Sequence, residues 1–373
     1  MGKHRIIAAG HICLDITPVF PAGKTVGKVS EMLVPGKLVE MDAASVHTGG
    51  SVANTGLAMK KLGNDVRLLG KVGQDAFGDM VQNILSGHGG GGLIVDAGST
   101  TSYSVVLALP GIDRMFLHHP GANDTFAADD VPEDALEGAQ LFHFGYPPLM
   151  KRMYQNGGEE LKNMMQRVKA RGVATSLDMA AVDAHGEGAK VDWESLLQLV
   201  LPHVDFFVPS FEELCFMLDR PLFERLTAAG TDCTDGLDVM QYALPLAEKC
   251  LQMGCGVVMI KCGLAGLLWK GAEEPRVAQV GGNWQCNASL WAQKGGYQPC
   301  YQADIVRSGA GAGDVTIAAW LTAVLDGETP EECARLAAAE GAASVTSYDA
   351  LGGILSLDEI RKRLANGWKL RGE

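Results

Sequence analysis

Ser308-Gly309-Ala310-Gly311-Ala312-Gly313-Asp314 sets a carboxylate directly behind a run of small residues, and 315–321 continue as an apolar helix. Backbone free of bulky side chains lets amides converge on an anion, and a helix starting near 313 turns its positive end to the same point. A carboxylate at that junction can take the proton of a hydroxyl as the hydroxyl is phosphorylated. The same residues also read as an ordinary helix start, with Asp314 as its N-cap and nothing more. A dinucleotide fingerprint fits poorly, because G-x-G-x-G-D lacks a third glycine at the required spacing.

His47-Thr48-Gly49-Gly50-Ser51-Val52-Ala53-Asn54 offers a different chemistry. Paired glycines before a helix permit close approach of backbone to a ligand, and Asn54, one turn in, can hydrogen-bond hydroxyls. A plain turn and helix start is the competing reading. Asp15 is expected at the carboxyl end of the first strand, where open α/β sheets bind ligands, or else as a solvated strand-end aspartate. Gly23-Lys24-Thr25 has the tail of a Walker A loop, but Pro18 stands where the first glycine belongs, which excludes one.

These residues need a scaffold, and the pattern of the chain describes one. Residues 5–10 are apolar on both faces and read on through Cys13 to Asp15 as one central strand of a parallel sheet. Residues 51–63 and 79–85 read as helices, and 65–72 as the strand between them. Strands at 141–144, 173–178, 205–208 and 257–261 are each followed by polar or helical text. That alternation predicts a doubly wound α/β fold with a mostly parallel central sheet flanked by helices, in one domain. Segment 16–46 is broken by prolines 18, 21 and 35. Segment 101–119 alternates around Pro110-Gly111-Ile112-Asp113 as a hairpin, and the two together predict a small β lid. His88 and glycines 89–92 read as a flexible loop. The stretch 281–302, rich in Trp, Cys, Asn and Gln, has no assignment from sequence.

Composition narrows the class. The 373 residues are 47% hydrophobic with 47 glycines and 6% aromatics, a balance that suits α/β better than an all-β sandwich. A net charge of −13 argues against nucleic acid or an anionic membrane as partner. The 9 cysteines contain no C-x-x-C, which points to buried thiols in a reducing compartment and away from zinc or disulfides. The apolar stretch 6–9 is too short for a signal peptide or a membrane span, so the protein is read as cytoplasmic. Without a secretory signal, Asn287-Ala288-Ser289 is a chance glycosylation match.

Four segments taken in order resemble the ribokinase-like (PfkB) carbohydrate kinase family over about residues 5 to 360. They are Gly49-Gly50 with Asn54, Leu69-Gly70-Lys71-Val72-Gly73-Gln74-Asp75-Ala76-Phe77-Gly78, Gly121-Ala122-Asn123, and the most specific, Gly311-Ala312-Gly313-Asp314. The resemblance implies that Asp314 is the base and that the amides of Gly311, Ala312 and Gly313 form the anion hole. It gives Asp15, Gly49, Gly50 and Asn54 to the acceptor, Ser210, Lys261, Gly263 and Gly266 to the nucleotide, and Glu213 to magnesium through water. It also implies ATP as donor, a sugar-like acceptor, and a lid that pairs two copies into a homodimer.

The chain departs from the family pattern at four places. The usual D-T is Ser308-Gly309, N-x-x-E is Ser210-Phe211-Glu212-Glu213, T-x-G is Lys261-Cys262-Gly263, and D-P-N is Asp178-Met179-Ala180. Lys261 then either contacts phosphates or closes a strand end. Loss of the D-T aspartate predicts activity that needs magnesium and depends little on potassium. A nucleoside kinase, and a catalytically silent sugar-binding or regulatory protein, remain as alternatives.

Overall fold

The computed structural model describes residues 3–21, 25–112 and 114–372, so Gly23 and Lys24 of the excluded Walker tail and Asp113 of the hairpin turn lie outside the described residues. In chain order the strands of the first half are β1 Arg5–Gly10, β2 Cys13–Val19, β3 Asp42–Gly49, β4 Asp65–Leu69, β5 Lys71–Gly73, β6 Ile94–Asp96, β7 Tyr103–Leu107 and β8 Met115–His119. Those of the second half are β9 Leu141–Gly145, β10 Ala174–Leu177, β11 Phe206–Phe207, β12 Val257–Lys261, β13 Leu267–Gly271 and β14 Gly295–Gln298.

The main sheet has the order β14-β13-β12-β11-β10-β9-β1-β4. Pairing is parallel from β12 through to β4 and antiparallel where β13 joins β12 and β14 joins β13. Successive side chains of a strand point to opposite faces, and both faces here are covered. Ile6 and Ala8 join Val315, Trp320 and Leu336 of the helices Ala312–Leu325 and Pro330–Ser344 in one core. Ile7 and Ala9 join Leu161, Met165 and Leu196 in the other. The doubly wound arrangement follows from that alternation.

β1 is shorter than its sequence suggests. It ends at Gly10, whose φ of 125° suits glycine, and a Cβ there would lie 2.3 Å from the Gly145 carbonyl oxygen. The chain leaves the main sheet at this point. Cys13 to Val19 becomes an inner strand of a separate four-stranded sheet in the order β3-β2-β7-β8. The lid is therefore present, but it begins at Cys13 and runs to Gly49, and Asp15 belongs to it and not to the end of the first main strand.

The helix Ser51–Lys61 follows the glycine pair, and Asp75 caps the helix Ala76–Gly87 by accepting from Gly78 N at 2.8 Å. The unassigned stretch 281–302 supplies the edge strand β14. It also brings Trp291 edge-on to Trp269 and Trp320, each with ring centroids 5.6 Å away. Among the described residues no helix is long and apolar enough to cross a membrane.

Candidate active site

Small residues from 308 to 313 leave the backbone room to curl, and Gly311 takes φ 73° as the residue before the helix Ala312–Leu325. A Cβ at Gly311 would lie 2.4 Å from that of Ala350, so a neighbouring loop enforces glycine there. Asp314 is the third residue of this helix, not its N-cap, and no side chain caps the helix. Ala312 N donates to Gly309 O at 3.3 Å, and the next amides of the turn are left for a ligand, as at an uncapped N-terminus.

The Asp314 carboxylate is 5% exposed and held from three sides. Thr55 Oγ1 donates to Oδ1 at 2.7 Å, and Asn54 Nδ2 donates to Oδ2 at 3.2 Å. The Tyr146 hydroxyl lies 2.9 Å from Oδ1 and 2.8 Å from Oδ2. Asn54 and Thr55 reach it because the helix Ser51–Lys61 packs against the helix Ala312–Leu325. Burial raises the Tyr146 phenol well above its ordinary range, and the Asp314, Asp178 and Glu213 carboxylates add to the rise. The phenol therefore remains a donor.

On one side of Asp314 a cavity of about 490 Å³ opens, lined among others by Asp178, Ser210, Glu213, Lys261, Gly263 and the loop 311–313. Lys261 ends β12 and places its ammonium 2.7 Å from Asp178 Oδ1, with 12% and 2% of the two side chains exposed. Burial works to lower the lysine pKa, but the carboxylates of Asp178, Glu213 and Asp314 outweigh it and hold it above the usual value. Lys261 closes the strand, and a Cβ on Gly313 would stand 4.0 Å from its ammonium, so the side chain also reaches the loop 311–313.

The Ser210 departure has a local cause. Its hydroxyl caps the helix Phe211–Leu218 by accepting from Glu213 N at 3.2 Å, and Glu213 Oε2 returns to Ser210 N at 2.7 Å. Serine does for this helix what asparagine would do. Gly266 is not among the residues bordering the cavity. It turns the chain from β12 to β13 at φ 101°, where a Cβ would lie 2.1 Å from the Gln298 carbonyl oxygen.

The lid closes the other side. Asp15 pairs with His47 of β3 and Ser104 of β7, and its carboxylate lies so close over Gly49 that a Cβ there would be 2.1 Å away. Gly50 is pressed likewise against His11, with a Cβ falling 2.5 Å from the His11 carbonyl oxygen. Both glycines are thus required by close approach. Burial raises the Asp15 pKa against hydrogen bonds from Cys13 and Ser104. His11 Nε2 lies 3.3 Å from His118 Nε2 on β8, and its ring centroid is 6.0 Å from that of Tyr146. Burial, and then His118, lower the His11 pKa well below its usual value, so His11 is neutral.

Of the residues named from sequence, Asp314 and Asn54 meet directly. Ser210, Glu213, Lys261, Gly263 and 311–313 line one cavity with Asp314, and Asp15 and Gly49 of the lid strands cluster with Gly50. Thr55, Tyr146 and His11 were not foreseen, nor was Arg114 of the lid hairpin, whose Nη2 donates to Ser308 Oγ at 2.6 Å. Thr55 follows Asn54 on the same buried helix turn. Tyr146 stands in Gly145-Tyr146-Pro147-Pro148 just past a central strand, where ligands gather in such sheets.

The pattern of the pfkB family carbohydrate kinases matches residues 12–355, and the chain belongs to that family. Fructokinase-1 of Zea mays is 30% identical over 148 residues, which are 39% of this chain and 42% of that one. The fructokinase of Solanum tuberosum is 31% identical over 144 residues, 38% and 41% of the two chains. The matched stretch therefore spans about two-fifths of these curated relatives. In three dimensions the Arabidopsis thaliana ribokinase complexed with ribose and ATP superposes with a TM-score of 0.69 at 19% identity, covering 98% of this chain and 99% of that one. The Xylella fastidiosa fructokinase with bound ATP gives 0.68 at 20% identity, covering 97% and 98%. At these identities the likeness is one of fold.

Proposed function

We propose that the protein transfers the γ-phosphoryl group of ATP to a hydroxyl of a sugar, with Asp314 as general base. The observation that carries this reading is the buried Asp314 carboxylate at an uncapped helix N-terminus, between the lid cluster and the cavity that Lys261 borders. ATP enters by the cavity and the sugar lies beneath the lid, its hydroxyls met by Asp15, Asn54 and the backbone at Gly49 and Gly50. The acceptor proton passes to Asp314 as oxygen attacks the phosphorus. The amides of 311–313 hold the charge on the moving phosphoryl, and Lys261 adds a fixed positive charge beside them.

Ser210, Lys261 and Gly263 border the nucleotide. Glu212 and Glu213 line the same cavity, which fits a magnesium ion carried in with ATP, because phosphates and water supply most of its ligands and one or two carboxylates suffice. Glu213 would hold the ion through water. When bound, the ion neutralises charge between the β- and γ-phosphates. Two copies pair through the lid, where Phe116 and Leu117 on edge strand β8 are 61% and 57% exposed. The cysteines described as free thiols accord with a cytoplasmic setting.

ADP formation with magnesium and ATP across fructose, ribose, other sugars and nucleosides tests the reading. Fructose comes first, because the curated relatives bear the name fructokinase. Turnover on a sugar supports the proposal. Turnover confined to nucleosides would make it a nucleoside kinase, and sugar binding without any turnover a silent binding protein.

A further inference from the structure

The Tyr146 hydroxyl spans both oxygens of Asp314 at 2.9 and 2.8 Å, which is where a hydroxyl surrendering its proton to that base must also lie. We propose that Tyr146 is a displaceable plug: its hydroxyl occupies the base while the acceptor site is empty, and an arriving sugar hydroxyl takes its place. The inference rests on the kinase reading above and adds a device to it.

Three observations favour displacement over a permanent contact. Thr55 and Asn54 already secure Asp314 from a packed helix, with Thr55 fully buried, so the carboxylate keeps its place without the phenol. Tyr146 instead sits on a connection, at φ 68° and ψ 40°, a left-handed conformation that a residue with a Cβ adopts only under strain. Strain of that kind persists where surrounding structure enforces it and gathers at switch positions. Pro147 and Pro148 follow at once and fix the chain beyond it, which confines adjustment to Tyr146 itself. Third, the residue has a neighbour on each side of the base. It lines the nucleotide cavity, and on the lid side its ring faces His11, which joins β8 through His118. His11 Nδ1 is buried without a hydrogen-bond partner beside Gly50, where a Cβ would fall 2.6 Å from it, so a polar group is open to a ligand entering at the glycine pair.

The function of such a plug follows from competition. Water is an acceptor too, and a kinase whose base is open to it consumes ATP without product. A phenol seated on the carboxylate denies water that position, and a sugar, held by several further hydrogen bonds, can displace it.

The test compares wild type with Tyr146→Phe and Tyr146→Ser, both checked for an unchanged melting transition. With magnesium and ATP but no sugar, phosphate release by Tyr146→Phe should rise roughly tenfold, the equivalent of one lost hydrogen bond to a charged group. In ATP-free protein, fructose or ribose binding by calorimetry should tighten in both variants, because no internal contact has to be broken. Unchanged phosphate release together with unchanged sugar affinity overturns the plug. So does a fall in kcat on sugar with no rise in hydrolysis, which would make Tyr146 a fixed positioning residue. Should wild type turn over no ATP with any acceptor offered, the kinase reading fails, and the calorimetric comparison still decides the plug. Absence of sugar binding by every protein would overturn both.

Discussion

Arg114 Nη2, at the tip of the lid hairpin, donates to Ser308 Oγ across 2.6 Å, so the lid is tied to the glycine-rich loop that leads into the Asp314 helix. Ser308 Oγ also accepts from Ala310 N at 3.1 Å, and one hydroxyl thus organises the loop and receives the lid. Arg114→Ala should leave the melting temperature nearly unchanged, because the contact joins two loops outside both hydrophobic cores. It should lower kcat/KM for ATP by about tenfold, through loss of the tie that holds the lid to the loop before Asp314. Steady-state kinetics over both substrates would show it, and full activity would sever the link between lid and loop.

Asp314→Asn keeps the size of the side chain and removes the base. Turnover should fall by on the order of 10²–10⁴-fold. Because Gly311, not Asp314, precedes the helix, no cap is lost and the melting transition should move little. A variant that melts early yet turns over normally would show that the carboxylate is structural.

Potassium should matter little. Ser308 presents a neutral hydroxyl that already takes two donors, and the nearby Asp304 is committed to Arg363 at 2.6 Å, away from the loop. A weakly held monovalent ion needs several converging oxygens, and neither residue supplies one. Turnover at fixed ionic strength should stay level when potassium is exchanged for a bulky organic cation. A several-fold rise specific to potassium would reveal a site built from other ligands.

Stability should fall as pH rises, through a residue outside the site. Glu340 on the helix Pro330–Ser344 is fully buried, accepts from Leu355 N at 2.7 Å, and is pushed by burial from 4.5 to about 8. Between those values the folded chain retains a proton that the unfolded chain has released, so the stabilisation is complete below 4.5 and is lost as pH climbs through about 8. Glu340→Gln preserves the acceptor and removes the titration. Its melting temperature should gain on wild type from mildly acid to mildly alkaline solution, and a constant difference would count against the assignment. His143 works in the opposite direction. Burial, and then Lys261, lower it from 6.5 to about 3, so its contribution is present above 6.5 and is lost as pH falls toward 3.

The main strands were legible because each is a short apolar run closed by a turn, and the glycine loop because small residues before an aspartate have few other uses. The lid could be read from its alternating hairpin. Its boundary could not, since only the bend at Gly10 against Gly145 shows that Cys13 to Asp15 leaves the main sheet. The partners of Asp314 were hidden for a related reason. Thr55 and Tyr146 lie 259 and 168 positions away in sequence, and no local periodicity reports a contact of that separation. The edge strand β14 escaped as well, because Gly295 to Gln298 has two glycines and little apolar character.

The tryptophan cluster at that edge has a spectroscopic consequence. All 6 tryptophans, at 193, 269, 284, 291, 320 and 368, lie outside the lid strands. Trp269, Trp291 and Trp320 pack ring against ring and will exchange excitation among themselves. Native fluorescence should therefore follow unfolding of the main body and stay silent when the lid moves. That silence makes Phe116→Trp, on the exposed edge strand β8, a clean optical reporter of lid closure against an unchanging background.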